Sequence, residues 1–164
     1  MKFVKKFTTT GSQFRCYAAS SERFPAVRKM RWDNYRDMVM DKPIVLPKGA
    51  AYCRIHASGD FYSQDYFDRW LTVCNQNPFV RFWAFTKSIQ FWVNRLGCIP
   101  NNLRLQASYG SKQDHLIEKY QLKFARVFKT KAEALASGLP IDTDDTYAMM
   151  GKQPFALVDN FAKK

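Results

Sequence analysis

The chain has 164 residues with 46% hydrophobic and 16% aromatic content, enough for one folded domain with its own core and too apolar for a disordered chain. Twenty-six Lys/Arg against 14 Asp/Glu give a net charge of +12, which favours an anionic partner, most often nucleic acid. No apolar run approaches the roughly 18 residues of a membrane span. The first residues, Met1-Lys2-Phe3-Val4-Lys5-Lys6-Phe7, lack the apolar stretch of a secretory signal, so the expected location is the cytoplasm, with no membrane partner.

The charge is uneven: residues 1–54 hold 12 Lys/Arg against 4 Asp/Glu. Residues 1–13 read as a basic lead-in and 14–164 as a single α/β domain. Phe14 to Ala18 is a short apolar-leaning piece. Ser20 or Ser21 can cap a helix with Pro25 in its first turn, running to about Met40. Val27, Met30, Asn34 and Met38 share one stripe of it. Arg28, Trp32, Tyr35 and Arg36 share another. A basic and aromatic stripe can grip phosphates and stack bases, or the rings can cover core while the arginines are solvated.

A loop set by Pro43, Pro47 and Gly49 leads to the first strand, Ala51 to His56. Ser63 caps the next helix, with Phe67, Trp70, Leu71 and Cys74 on one face. Phe79 to Phe85 is the second strand and reads as covered on both faces. Ser88 caps a helix facing inward through Ile89, Trp92, Val93 and Leu96, stopped at Gly97. Leu103 to Ala107 is the third strand. Ser111 and Asp114 resemble a capping box before a helix to about Tyr120. Lys123 to Phe128 is the fourth strand and Ala132 to Ser137 a short helix. Asp142, Asp144 and Asp145 read as a solvated turn, and Phe155 to Val158 as a last strand. Strand–helix alternation of this kind predicts a parallel sheet. With fewer strands than a closed barrel, the expected fold is a partial, open β/α barrel or a small parallel sheet with flanking helices.

In such folds ligands bind at the carboxyl ends of the strands. Those ends read His56-Ala57-Ser58-Gly59-Asp60, Thr86-Lys87-Ser88, Ser108-Tyr109-Gly110 and Lys129-Thr130-Lys131. Ser58, Gly59, Thr86, Lys87, Ser88, Ser108 and Lys129 are therefore candidate anion-binding residues, helped by helix N-termini behind them. The same residue types are also ordinary turn and cap formers. His56 beside Asp60 is a candidate acid–base pair, although a His closing a buried strand is equally a structural one. The widely spaced Cys16, Cys53, Cys74 and Cys98 signal neither zinc nor a disulfide framework, and no metal is expected.

Arg54-Ile55-His56-Ala57-Ser58-Gly59-Asp60-Phe61-Tyr62-Ser63, Trp70 and Phe82-Trp83-Ala84-Phe85-Thr86-Lys87-Ser88 resemble the phage gene product 88 family. Phe14 to Ser20, Arg23 to Arg28 and Gly138-Leu139-Pro140-Ile141-Asp142 carry the same resemblance, which covers most of residues 13–157. That family is similar to the β/α barrels of radical S-adenosylmethionine enzymes. The comparison implies that Cys16 matches one cluster cysteine and that Gly59-Asp60 lies where the cofactor's amino-acid end is held. No cysteine precedes Cys16, and a cubane cluster needs three nearby thiolates. The expected form is therefore a short one without iron–sulfur cluster or S-adenosylmethionine. The expected function is a phage accessory protein that binds nucleic acid, or a host complex containing it. Contacts are expected from the rim and from Arg28, Trp32 and Arg36. The alternatives are an enzyme using His56 and Asp60, and a host-takeover or anti-defence protein acting by protein contact.

Overall fold

Five apolar segments become strands: β1 (Tyr52–Ile55), β2 (Arg81–Thr86), β3 (Leu103–Ser108), β4 (Phe124–Phe128) and β5 (Phe155–Val158). In this computed structural model, which describes residues 21–159, they lie in the order β1-β2-β3-β4-β5 with every pair parallel. The fold is α/β, an open half-barrel with flanking helices. The basic lead-in and the Phe14 to Ala18 piece lie outside the described residues.

The helices are α1 (Pro25–Val39), α2 (Gln64–Gln76), α3 (Ile89–Val93), α4 (Asp114–Lys119), α5 (Lys131–Ala136) and α6 (Thr146–Met149). Alternate strand residues Ile55, Phe82, Ala84, Leu103, Leu105 and Ala107 form one buried cluster with Phe67, Leu71 and Cys74 of α2, Ile89 and Trp92 of α3, and Leu116 and Ile117 of α4. Each large side chain removed from water there stabilises the fold by about 1.5–3 kcal/mol. The cap on α2 is the one expected: the Ser63 hydroxyl accepts from the Tyr66 N–H at 3.1 Å.

Several local expectations give way to longer-range contacts. Ser88 precedes α3 without capping it, because its hydroxyl donates to the Phe61 carbonyl at 2.6 Å. Phe79 is 97% exposed in the turn before β2 and not within the strand. At the start of α1 the cap position is Phe24, which offers no side-chain bond, while Pro25 sits in the first turn as expected. The stripe of Val27, Met30, Asn34 and Met38 buries none of its residues.

The tail is the largest departure. Asp144 is exposed as expected, but Asp142 is buried and its carboxylate accepts from the Ala148 N–H at 2.9 Å, so the run as a whole is not a solvated turn. It opens a strap, residues 141–151, that carries α6 against β2 and β3. The strap lies on the face opposite the helices, where the other set of alternate residues points: Arg54, Trp83, Phe85, Gln106 and Phe155. The Gln106 amide donates to the Ala148 carbonyl at 2.7 Å, and Lys123 donates to the Tyr147 and Gly151 carbonyls at 2.8 and 2.6 Å. A side chain at Gly151 would bring its Cβ to 2.8 Å from the Tyr147 carbonyl oxygen, which is why glycine closes the strap. Thus β2 is covered on both faces, by helices on one and by this strap on the other.

Candidate functional site

The rim forms where β1 and β2 end. His56 and Gly59 both take left-handed backbone (φ 63° and 89°), which turns the chain sharply out of β1. Glycine adopts that region freely and His tolerates it better than most residues. The turn delivers the Asp60 carboxylate to the neighbouring strand end. One oxygen accepts from the Thr86 hydroxyl at 2.6 Å and the Phe61 N–H at 2.8 Å, and the other accepts from the Lys87 N–H at 2.7 Å. Asp60, Thr86, Lys87 and Ser88 are thus brought together, with Asp60 as the tie between two strand ends.

The other turns are built the same way. Asp114 accepts from the Gly110 and Ser111 N–H groups, both at 2.9 Å. Gln113 accepts from the Gln90 N–H at 3.0 Å. Thr130 and Glu133 form a reciprocal capping box, Glu133 also accepting from the Lys129 N–H at 3.1 Å. The backbone donors of Phe61, Lys87, Gln90, Gly110, Ser111 and Lys129 are therefore already bonded to the chain's own side chains. Lys87 donates to the Tyr109 carbonyl. Burial pulls its ammonium below the ordinary lysine range, while Asp114 and Asp60 act against that shift. Beside it lies a depression of about 250 Å³ lined by Lys87, Ser88, Gln90, Phe91, Ser111, Lys112 and Gln113. Ser108 ends β3 opposite Ala125, Ser58 is half-buried in the first turn, and Lys129 is exposed.

His56 faces away from this network. Its Nε2 lies 2.8 Å from the Tyr66 hydroxyl and its ring packs edge-on against Phe61 at 4.7 Å and Trp70 at 6.5 Å. Burial lowers its pKa, partly offset by the nearby Asp60 charge. Among the described residues no hydrogen bond joins His56 to Asp60, whose oxygens are committed to the rim.

Arg28, Trp32 and Arg36 lie on α1, apart from the rim. None of the helix's residues is buried. Trp32 is 62% and Tyr35 55% exposed, their rings edge to face at 5.9 Å. Arg36 bonds Asp33, whose carboxyl is held below its usual range first by Lys29 and then by Arg36. Arg28 lies one turn before Trp32 on the same face and is exposed.

The described cysteines do not suit an iron–sulfur cluster. Cys53 sits in β1 and Cys74 in α2 on the helix-covered side, where burial raises the thiol of Cys74 to about 12. Cys98 is exposed at the end of a 3-10 turn (Leu96–Cys98) that precedes β3, away from the rim end of the strands. Among the described residues no group of three His, Cys, Asp or Glu could hold a metal ion, and no helix is long and apolar enough to cross a membrane.

Sequence reasoning missed three features. The Thr130-x-x-Glu133 spacing is a legible cap signal. The union of Arg54, Trp83 and Asp145 joins residues 91 and 62 positions apart and has no local signal. Asp114 was legible as a cap but not as the neighbour of Lys87. In comparisons with known proteins, the family model described as Gene product 88 matches residues 5–164. No curated protein and no solved structure matches.

Proposed function

Since the chain belongs to the Gene product 88 family of phage proteins, we propose that it is a phage protein that binds nucleic acid, with α1 as the contact surface. The observation that carries this reading is a fifteen-residue helix that buries none of its residues yet displays Trp32, Tyr35 and Arg28. A helix of this length gains most of its stability from an apolar face packed on the domain. A face of exposed rings interleaved with arginine instead matches what single strands need: planar platforms for bases and cations for phosphates. The net charge of +12 supplies the long-range attraction. Arg28 is the stronger phosphate contact of the two arginines, because Asp33 already neutralises Arg36.

Fluorescence anisotropy with labelled single- and double-stranded oligonucleotides tests this across a salt titration. Affinity falls steeply with salt, as counterion release requires. Trp32→Ala weakens single-strand binding by about 1–3 kcal/mol, the worth of one stacked base. Arg28→Ala lowers the salt slope by about one unit. No binding at low salt, or binding indifferent to both substitutions, refutes the reading. Both side chains are exposed, so loss of the fold does not confuse the result.

A further inference from the structure

The concave face carries a second feature that α1 does not explain. One oxygen of Asp145 accepts from the Arg54 guanidinium at 2.7 Å and from the Trp83 indole N–H at 3.0 Å. Both groups are donors only, so a partner between them must be an acceptor. The guanidinium lies 5.0 Å over the Phe85 ring, which fixes its plane. It is 38% exposed while Asp145 is 22% exposed, so the pair lies open to solvent and not within the core. Arg81 of β2 and Arg104 of β3 lie on the same face, as does Lys123 just before β4, which desolvation pulls down to about 8. Arg54, Arg81 and Arg104 give this face positive charge, set against the carboxylates of Asp142, Asp144 and Asp145 on the strap.

The strap has fastenings besides Asp145. The Ala148 peptide is held from both sides, by Asp142 on its N–H and Gln106 on its carbonyl, and Lys123 holds the end of α6. Asp145 itself sits in left-handed backbone at the N-cap position of α6 (φ 64°), an uncommon conformation outside glycine and one that Asp and Asn accept best. We propose that Arg54 and Trp83 form a binding site for a phosphate group, and that the Asp145 carboxylate occupies that site until the ligand displaces it. Asp145 is a resident acceptor with one charge. A phosphate brings more charge and more oxygens to the same two donors. This site is independent of α1.

The test compares wild type, Asp145→Asn and Asp145→Ala. Inorganic phosphate binding is read from the Trp83 indole N–H resonance, and a labelled oligonucleotide is followed by anisotropy. Removing the carboxylate's charge raises affinity at least five-fold, and adding Arg54→Ala abolishes the gain. A gain with inorganic phosphate assigns the site to free phosphorylated ligands. A gain with the oligonucleotide alone assigns it to the nucleic-acid backbone. Both outcomes support the site, and both persist in a Trp32→Ala background, which separates them from binding by α1. Asparagine suits the left-handed position, so Asp145→Asn keeps the fold even if the alanine variant does not. Unchanged affinity for both probes in folded Asp145→Asn, with an indole resonance in wild type that phosphate does not shift, overturns the proposal and leaves Asp145 as a tether.

Discussion

Asp60 offers the sharpest test of how the rim is held together. Its carboxylate receives three donors from two separate strand ends. Phe61 and Thr86 are 2% and 1% exposed, so water does not replace the lost acceptor for their donors, whereas the Lys87 N–H lies at an exposed residue and can be rehydrated. A hydrogen bond to a charged acceptor is worth about 1.5–3 kcal/mol net, so losing the two buried ones in Asp60→Ala costs roughly 3–6 kcal/mol. For a domain of this size that lowers the melting temperature by about 6–24 °C, at roughly 2–4 °C per kcal/mol. Asp60→Asn retains one acceptor oxygen and turns an amide donor toward another donor, so it falls between wild type and Asp60→Ala. Thermal and urea unfolding followed by circular dichroism measure both variants. An Asp60→Ala melting temperature within about 2 °C of wild type refutes the argument, because it shows that the carboxylate is not the tie between β1 and β2.

His56 predicts a pH dependence. Burial depresses its folded pKa below the ordinary value of 6.5, so at lower pH the unfolded chain takes up the proton first. Stability is therefore full above about 6.5 and is lost as pH falls below it, until the folded pKa is passed. His56→Asn, which suits the same left-handed backbone, lacks this component when urea midpoints are compared at pH 7.5 and 5.5. Gly151→Ala tests the strap: its Cβ would meet the Tyr147 carbonyl oxygen at 2.8 Å. Overpacking of that kind costs about 1–3 kcal/mol, read as a lower urea midpoint with unchanged slope.

The sequence by itself determined the half-barrel, since period, caps and strand–turn–helix alternation act over a few residues. Ser63 caps α2 and Phe67, Leu71 and Cys74 face the core because helical spacing leaves no other arrangement. It also placed Asp60, Thr86, Lys87 and Ser88 at adjoining strand ends, because parallel strands put their turns on one edge. Tertiary structure alone decided what those residues do. Asp60 spends both oxygens across a separation of 26–27 residues, and His56 turns to Tyr66 through a left-handed φ that no residue pattern announces. The aspartates at 142 and 145 looked solvated because local charge reads as surface. Asp145 meets Arg54 of β1 and Trp83 of β2, while Asp142 takes the Ala148 N–H and Gln106 of β3 donates to the Ala148 carbonyl, and only the folded sheet sets those groups side by side.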